Sequence, residues 1–132
     1  MKFDKIIIVL FLLFTIAFAG CAEQQITTGE EINFTVYLKS QGNIDEQIEI
    51  TTTEGKSVFQ ALVENESVQL QYDEYSTGVF VTGINALVPK NDEYLGLYVN
   101  NEYAQVGIGD LEATEGMNIE FRIEKISESF LE

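Results

Sequence analysis

The sequence predicts an α+β domain, a mixed sheet with one packed helix, preceded by a cleaved signal peptide. Three observations predict it. Apolar residues alternate with polar ones along most of the chain, most cleanly at Met117, Ile119, Phe121 and Ile123, which is the period of a half-buried strand. A single stretch, Ser57 to Glu64, departs from that period and takes helical spacing. An uncharged apolar run from Ile6 to Ala19 stands behind Lys2 and Lys5 at the N-terminus.

That run is 14 residues long. It matches a signal-peptide core of roughly 7–15 residues and falls short of the roughly 17–25 needed to span a bilayer as a helix. Phe18-Ala19-Gly20-Cys21 follows and resembles the lipobox of prokaryotic lipoprotein precursors, in which small residues admit a peptidase and the thiol accepts a diacylglyceryl group. Cys21 is the only cysteine, so no intrachain disulfide forms. Two acyl chains on Cys21 make a stable anchor, where one alone binds only marginally. An ordinary signal peptide cut after Ala19 or Gly20 is the alternative. The expected organisation is a lipoprotein signal peptide over 1–20, a lipidated spacer over 21–29, the domain over 30–126 and a tail over 127–132. The protein is then exported and membrane-anchored on the outer face of the cell membrane.

From Glu30 onward the elements read in order. Ile32, Phe34, Val36 or Tyr37, and Leu38 make a strand that Ser40-Gln41-Gly42-Asn43 breaks, since these are turn residues. Ile44, Ile48 and Ile50 make its hairpin partner. Ser57 is followed three residues later by Gln60, a capping-box spacing, and Val58, Phe59, Ala61, Leu62 and Val63 continue at helical spacing. Val68, Leu70 and Tyr72 form the next strand, then Val79 and Val81, with Pro89 to Glu93 a polar loop. Tyr94 to Val99 is a further strand, turned by Asn100-Asn101, a pair suited to positive φ. The last strand spans Met117 to Ile123.

Removing residues 1–20 leaves five cations against 21 acids, a formal charge of −16. Such a domain is repelled by phosphate backbones, which excludes nucleic acid as a partner. It is also repelled by anionic lipid headgroups, so a covalent anchor has to hold it at a membrane.

Ser57-Val58-Phe59-Gln60-Ala61-Leu62, Gly78-Val79-Phe80-Val81-Thr82-Gly83-Ile84, Tyr98-Val99-Asn100-Asn101 and the stretch from Leu111 through Phe121 stand in an order and spacing that carries a resemblance. The stretch from Ser57 to Ile123 resembles the transcobalamin-like C-terminal domain family, a β-grasp-type domain of prokaryotic surface proteins. The resemblance implies a β-grasp-like fold. In the vitamin-carrier relatives it also implies a contribution to a cobalamin-binding face, so cobalamin or a related corrinoid is the ligand it suggests. The chain departs from the family pattern in having no Trp, in Asn101 for the turn Gly, and in Met117 for the usual Asp.

The chain has no His, so His-based zinc sites and general acid–base chemistry are excluded. The expectation is that the protein is not an enzyme. Asp73-Glu74 and Asp92-Glu93 read as loop acids, without the regular spacing of a calcium loop. Tyr72, Tyr75, Phe80, Tyr94, Tyr98 and Tyr103 gather in the second half. Tyrosine joins an apolar face to a polar edge, which suits a ligand or partner surface, although sheets favour aromatic residues in any case. A binding site on this reading lies on the edge formed by Tyr94, Tyr98, Asn100 and Tyr103. Asn33-Phe34-Thr35 and Asn65-Glu66-Ser67 are candidate glycosylation triplets. Two functions stay open: a lipid-anchored module that binds a small ligand, and a surface module that contacts other envelope proteins.

Overall fold

The computed structural model describes residues 29–127. The predicted signal peptide, Cys21 with its spacer as far as residue 28, and the tail from residue 128 lie outside the described residues. Strands β1 (Glu31–Ser40) and β2 (Asn43–Thr53) form a hairpin, followed by helix α1 (Val58–Glu64). Then come β3 (Leu70–Tyr75), β4 (Gly78–Ile84), β5 (Glu93–Val99), β6 (Glu102–Tyr103) and β7 (Asn118–Lys125).

Five strands make one sheet in the order β2-β1-β7-β5-β6, and β3 and β4 pair separately. The large sheet is mixed because β7 runs parallel to β1, Thr35 opposite Asn118 through Lys39 opposite Arg122, and antiparallel to β5. The two-residue period decides its faces. Phe34, Val36 and Leu38 of β1, Ile48 and Ile50 of β2, and Ile119 and Phe121 of β7 all point inward and are buried. Each such side chain contributes roughly 1.5–3 kcal/mol of burial.

Helix α1 closes part of the inner face with Val58, Ala61 and Leu62, its three buried residues. Their spacing is one turn of a 3.6-residue helix. Its capping box is complete: Ser57 Oγ accepts from the Gln60 N–H at 3.2 Å and Gln60 Oε1 accepts from the Ser57 N–H at 3.4 Å. No helix among the described residues is long and apolar enough to cross a membrane.

The turns sit where turn residues stand. Gln41 and Gly42 take φ of 49° and 83°, and Asn100 and Asn101 take 49° and 71°, the left-handed pairs that a tight hairpin needs. The expectation for the loop acids changes. Asp73 and Glu74 belong to strand β3 rather than a loop, because β3–β4 stands as a two-stranded ribbon whose outer side faces water. Ile44 is 57% exposed: a register shift between Leu38 and Lys39 sets it opposite outward-facing Lys39. Residues 104–117 fold as an irregular segment over the inner face, tied down by Val58 N–H to Leu111 O at 2.7 Å and Ala113 N–H to Lys56 O at 2.9 Å. It buries Ile108 and Ala113.

Candidate functional site

The outer face of the sheet collects the alternate residues: Lys39 from β1, Glu120, Arg122 and Glu124 from β7, Tyr94 and Tyr98 from β5, and Tyr103 from β6. Tyr94 stands opposite Glu124 and Tyr98 opposite both Glu120 and Tyr103. Tyr94 donates its hydroxyl to Glu124 Oε2 at 2.6 Å, and Tyr98 donates to Glu124 Oε1. Tyr103 meets the Tyr98 ring edge-on at 5.3 Å and 89°, a favoured aromatic geometry. The Arg122 guanidinium lies 3.8 Å from the Tyr98 centroid. Gly96, between the two tyrosines, leaves the room they need: a Cβ there would stand 2.9 Å from Glu124 Oε2.

Charge on this face is internally balanced. Glu120 is buried, yet its Oε2 takes Lys39 Nζ at 2.8 Å and Arg122 Nε at 2.8 Å. Burial works to raise its pKa, but the two cations outweigh it and hold the carboxyl below 4.5. The hydrogen bond to Glu124, then burial, pushes the Tyr94 phenol from 10.0 up to about 12. The same two causes raise Tyr98, with Arg122 opposing them.

Of the residues that the sequence nominates, the fold therefore brings Tyr94, Tyr98 and Tyr103 together. It does not bring Asn100 with them. Asn100 occupies the β5–β6 turn, where its Oδ1 accepts from the Asn118 N–H at 3.0 Å, a turn-stabilising contact. Tyr72 packs edge-on against Phe59 at 4.8 Å. Asn33 lies within β1, its Oδ1 accepting from the Thr51 hydroxyl at 2.7 Å. Asn65 caps α1 and accepts from the Ser67 N–H at 2.9 Å. Among the described residues, no group of three Asp, Glu, His or Cys side chains gathers to hold a metal ion.

A groove that the sequence does not announce lies beside Tyr103. Val79, Phe80 and Val81 of β4, Leu95 and Leu97 of β5 and residues of the 103–108 segment line it. It holds about 160 Å³. Flanking hollows of about 450 and 480 Å³ share Phe80 and Val106 with it. Phe80 is 52% exposed, Tyr103 53% and Val106 49%. No charged side chain lines the groove, a contrast with the acidity of the chain as a whole. The one signal in the sequence is Val79-Phe80-Val81, three apolar residues in a row within an alternating strand, which forces one of them outward.

Comparison with known proteins places this geometry. A family model described as Domain of unknown function (DUF4430) matches residues 55–125. No curated protein matches the sequence. The structure is similar to haptocorrin in its crystal structure with cobinamide, at a TM-score of 0.61 and 21% identity over 74% of this chain. The match covers 26% of haptocorrin, about a quarter of its length. It is also similar to a protein from Ruminococcus gnavus ATCC 29149 described as a candidate metal-binding protein, at a TM-score of 0.63 and 13% identity. That match covers 73% of this chain and 99% of the other. At these identities the likeness is one of fold.

Proposed function

The chain belongs to the DUF4430 family, and we propose that it is a non-enzymatic binding module that captures an organic ligand with a flat ring face at the Phe80–Tyr103–Val106 groove. The observation that carries this reading is the uncharged groove, rimmed by three exposed large side chains, on a chain of formal charge −15. A corrinoid is the ligand class we favour. Support comes from the transcobalamin-like resemblance, the layout of one short helix against a mixed sheet, and the fold shared with a cobinamide-bound protein. The central cavity, at about 160 Å³, is below the ~300–1,000 Å³ of sites that enclose a ligand. A corrinoid therefore rests against the groove and its flanking hollows rather than sinking into them.

We further infer that the module is exported and held on the outer face of the membrane by lipid on Cys21, as the lipobox-like Phe18–Cys21 suggests. Changing Cys21→Ser should release the protein from the membrane fraction or block its processing. A variant that is cleaved normally and stays on the membrane overturns that inference.

Calorimetric titration of the purified full-length protein with cobalamin and with cobinamide tests the ligand. Saturable heat is expected, and Phe80→Asp or Val106→Asp should weaken binding at least tenfold by placing a charge in the groove. No heat and no quenching of tyrosine fluorescence at high micromolar corrinoid overturns the corrinoid reading. The groove's shallow, exposed apolar rim then favours a contact surface for another envelope protein.

A further inference from the structure

We propose that the open edge of β2 docks an extended strand of another protein, one that carries lysine or arginine at alternate positions. β2 and β6 are the two edges of the large sheet. No residue of β2 lines the groove beside Tyr103, so the site does not rest on the corrinoid reading.

The hydrogen bonds of β1 identify the backbone groups of β2 that face outward. Asn33 O accepts from the Gly116 N–H at 2.8 Å and the Thr35 N–H donates to Met117 O at 3.0 Å, so the odd-numbered residues of β1 turn their amides toward β7. Glu30 O accepts from the Glu54 N–H at 2.8 Å, so the even-numbered ones turn toward β2. In an antiparallel pair, residues directly opposite either exchange both bonds or both point away. Gln47, Glu49 and Thr51 stand opposite Tyr37, Thr35 and Asn33, and therefore present N–H and C=O to the edge. All three are exposed, and among the described residues no strand pairs with them there.

Such an edge is a template for a further strand, which proteins blunt with lysine, proline, bulges or short length. β2 runs 11 residues and contains neither Lys nor Pro. Its bulge, at the Leu38–Lys39 step, disturbs only the hairpin end and leaves Gln47 to Thr53 in regular register. Ile48 and Ile50 are buried on the inner face of this run, and apolar residues of an arriving strand extend that face. A hollow of about 260 Å³, lined in part by Thr51, Thr52, Ala61, Glu64 and Asn65, lies between β2 and α1 and has room for one of its side chains.

Charge selects the partner. β2 carries Asp45, Glu46 and Glu49 and no cation. Glu46 accepts from Asn85 Nδ2 at 3.0 Å. Glu49 stands opposite Thr35 and has no ion pair among the described residues, since Lys39 and Arg122 hold Glu120 and Lys56 holds Glu64. A residue of the arriving strand opposite Glu49 has its Cβ about 4.5–5.5 Å away, within reach of a salt bridge from Lys or Arg. A second copy of the chain is the poorer occupant. It brings the same three acids on a chain of formal charge −15, and like charges across a strand pair repel.

The test is amide hydrogen exchange, read by NMR on isotope-labelled full-length protein with two synthetic peptides as probes. One is Thr-Val-Lys-Ile-Lys-Ile-Lys-Val-Thr, the other the same peptide with Glu at each Lys. The lysine peptide should slow exchange at the Gln47, Glu49 and Thr51 amides at least tenfold at saturation, and the glutamate peptide should not. Glu49→Lys should weaken the lysine peptide at least fivefold, whereas Glu66→Lys, the same charge change at an exposed site off the edge, leaves it unchanged. Thr51→Pro removes an edge donor while sparing the bonds to β1, and should weaken binding at least tenfold in a protein whose circular dichroism is unaltered. No slowing at millimolar lysine peptide overturns the proposal, as does equal binding of the glutamate peptide or an equal loss in Glu66→Lys. Protection of the same three amides without peptide also overturns it, because the edge is then covered by the chain itself or, where the protection grows with protein concentration, by a second copy.

Discussion

The guanidinium of Arg122 lies 3.8 Å from the centroid of the Tyr98 ring while its Nε donates to Glu120 at 2.8 Å. The one side chain therefore joins the aromatic half of the outer face to its charged half. A lysine keeps the charge but has neither the planar face nor the fork. Arg122→Lys should cost about 1 kcal/mol, the loss of one stacking contact and one directed hydrogen bond. Denaturant midpoints of the two proteins measure it.

Glu120 is the centre of that charged half. Its side chain is 5% exposed, and its partners Lys39 and Arg122 are 20% and 30% exposed. Breaking a fully buried pair costs roughly 3–5 kcal/mol. Here the freed cations reach water, so Glu120→Ala should cost less, about 2 kcal/mol. Chemical unfolding at neutral pH reads the difference.

Acid should weaken the fold through the same residue. The folded-state pKa of Glu120 is lowered from 4.5, so its contribution is fully present above that value. It is lost as pH falls through the folded pKa, where the unfolded chain binds the proton more readily. Glu120→Gln should flatten this part of the profile. Melting temperatures of both proteins between pH 6 and pH 2 test it.

Alkali acts with the opposite sign. Tyr94 is raised from 10.0 to about 12, so its contribution is complete below pH 10 and is lost as pH climbs through 12. Gly96→Ala sets a methyl 2.9 Å from Glu124 Oε2, and the flexible carboxylate swings away. In that variant the phenolic absorbance of Tyr94 should titrate nearer 10, at a stability cost of about 1 kcal/mol. An ultraviolet pH titration distinguishes the two.

Ser57 anchors the start of α1 through both arms of its capping box. Ser57→Ala should destabilise the protein by about 1 kcal/mol, and Ser57→Asp should restore most of the loss, since Asp also accepts from the N3 amide. Paired thermal melts measure both.

Much of the fold is legible in the chain because its signals are local. The two-residue period in Ile32 to Leu38 and in Met117 to Ile123 separates inward from outward side chains, and β1 and β7 follow it. Ser57 and Gln60 mark the helix start, and Gln41-Gly42 and Asn100-Asn101 take the left-handed turns. The lack of His settles an exclusion before any coordinate is known. Of the nominated site, Tyr94 and Tyr98 share a face because they stand an even number of residues apart on one strand.

What periodicity does not carry is the identity of a strand's neighbour. The parallel pairing of β1 with β7 joins residues more than 80 positions apart, and only that pairing seats Lys39 beside Glu120. The antiparallel pairing of β5 with β7 then delivers Glu124 to both tyrosines. Asn100 is diverted to its turn because Asn118 presents an amide there. The groove exists because β4 and the irregular 104–108 segment, neither of which announces its position by period, come to rest beside β5. Local sequence decides which side of a strand is apolar, and the packing of distant strands decides which side chains meet.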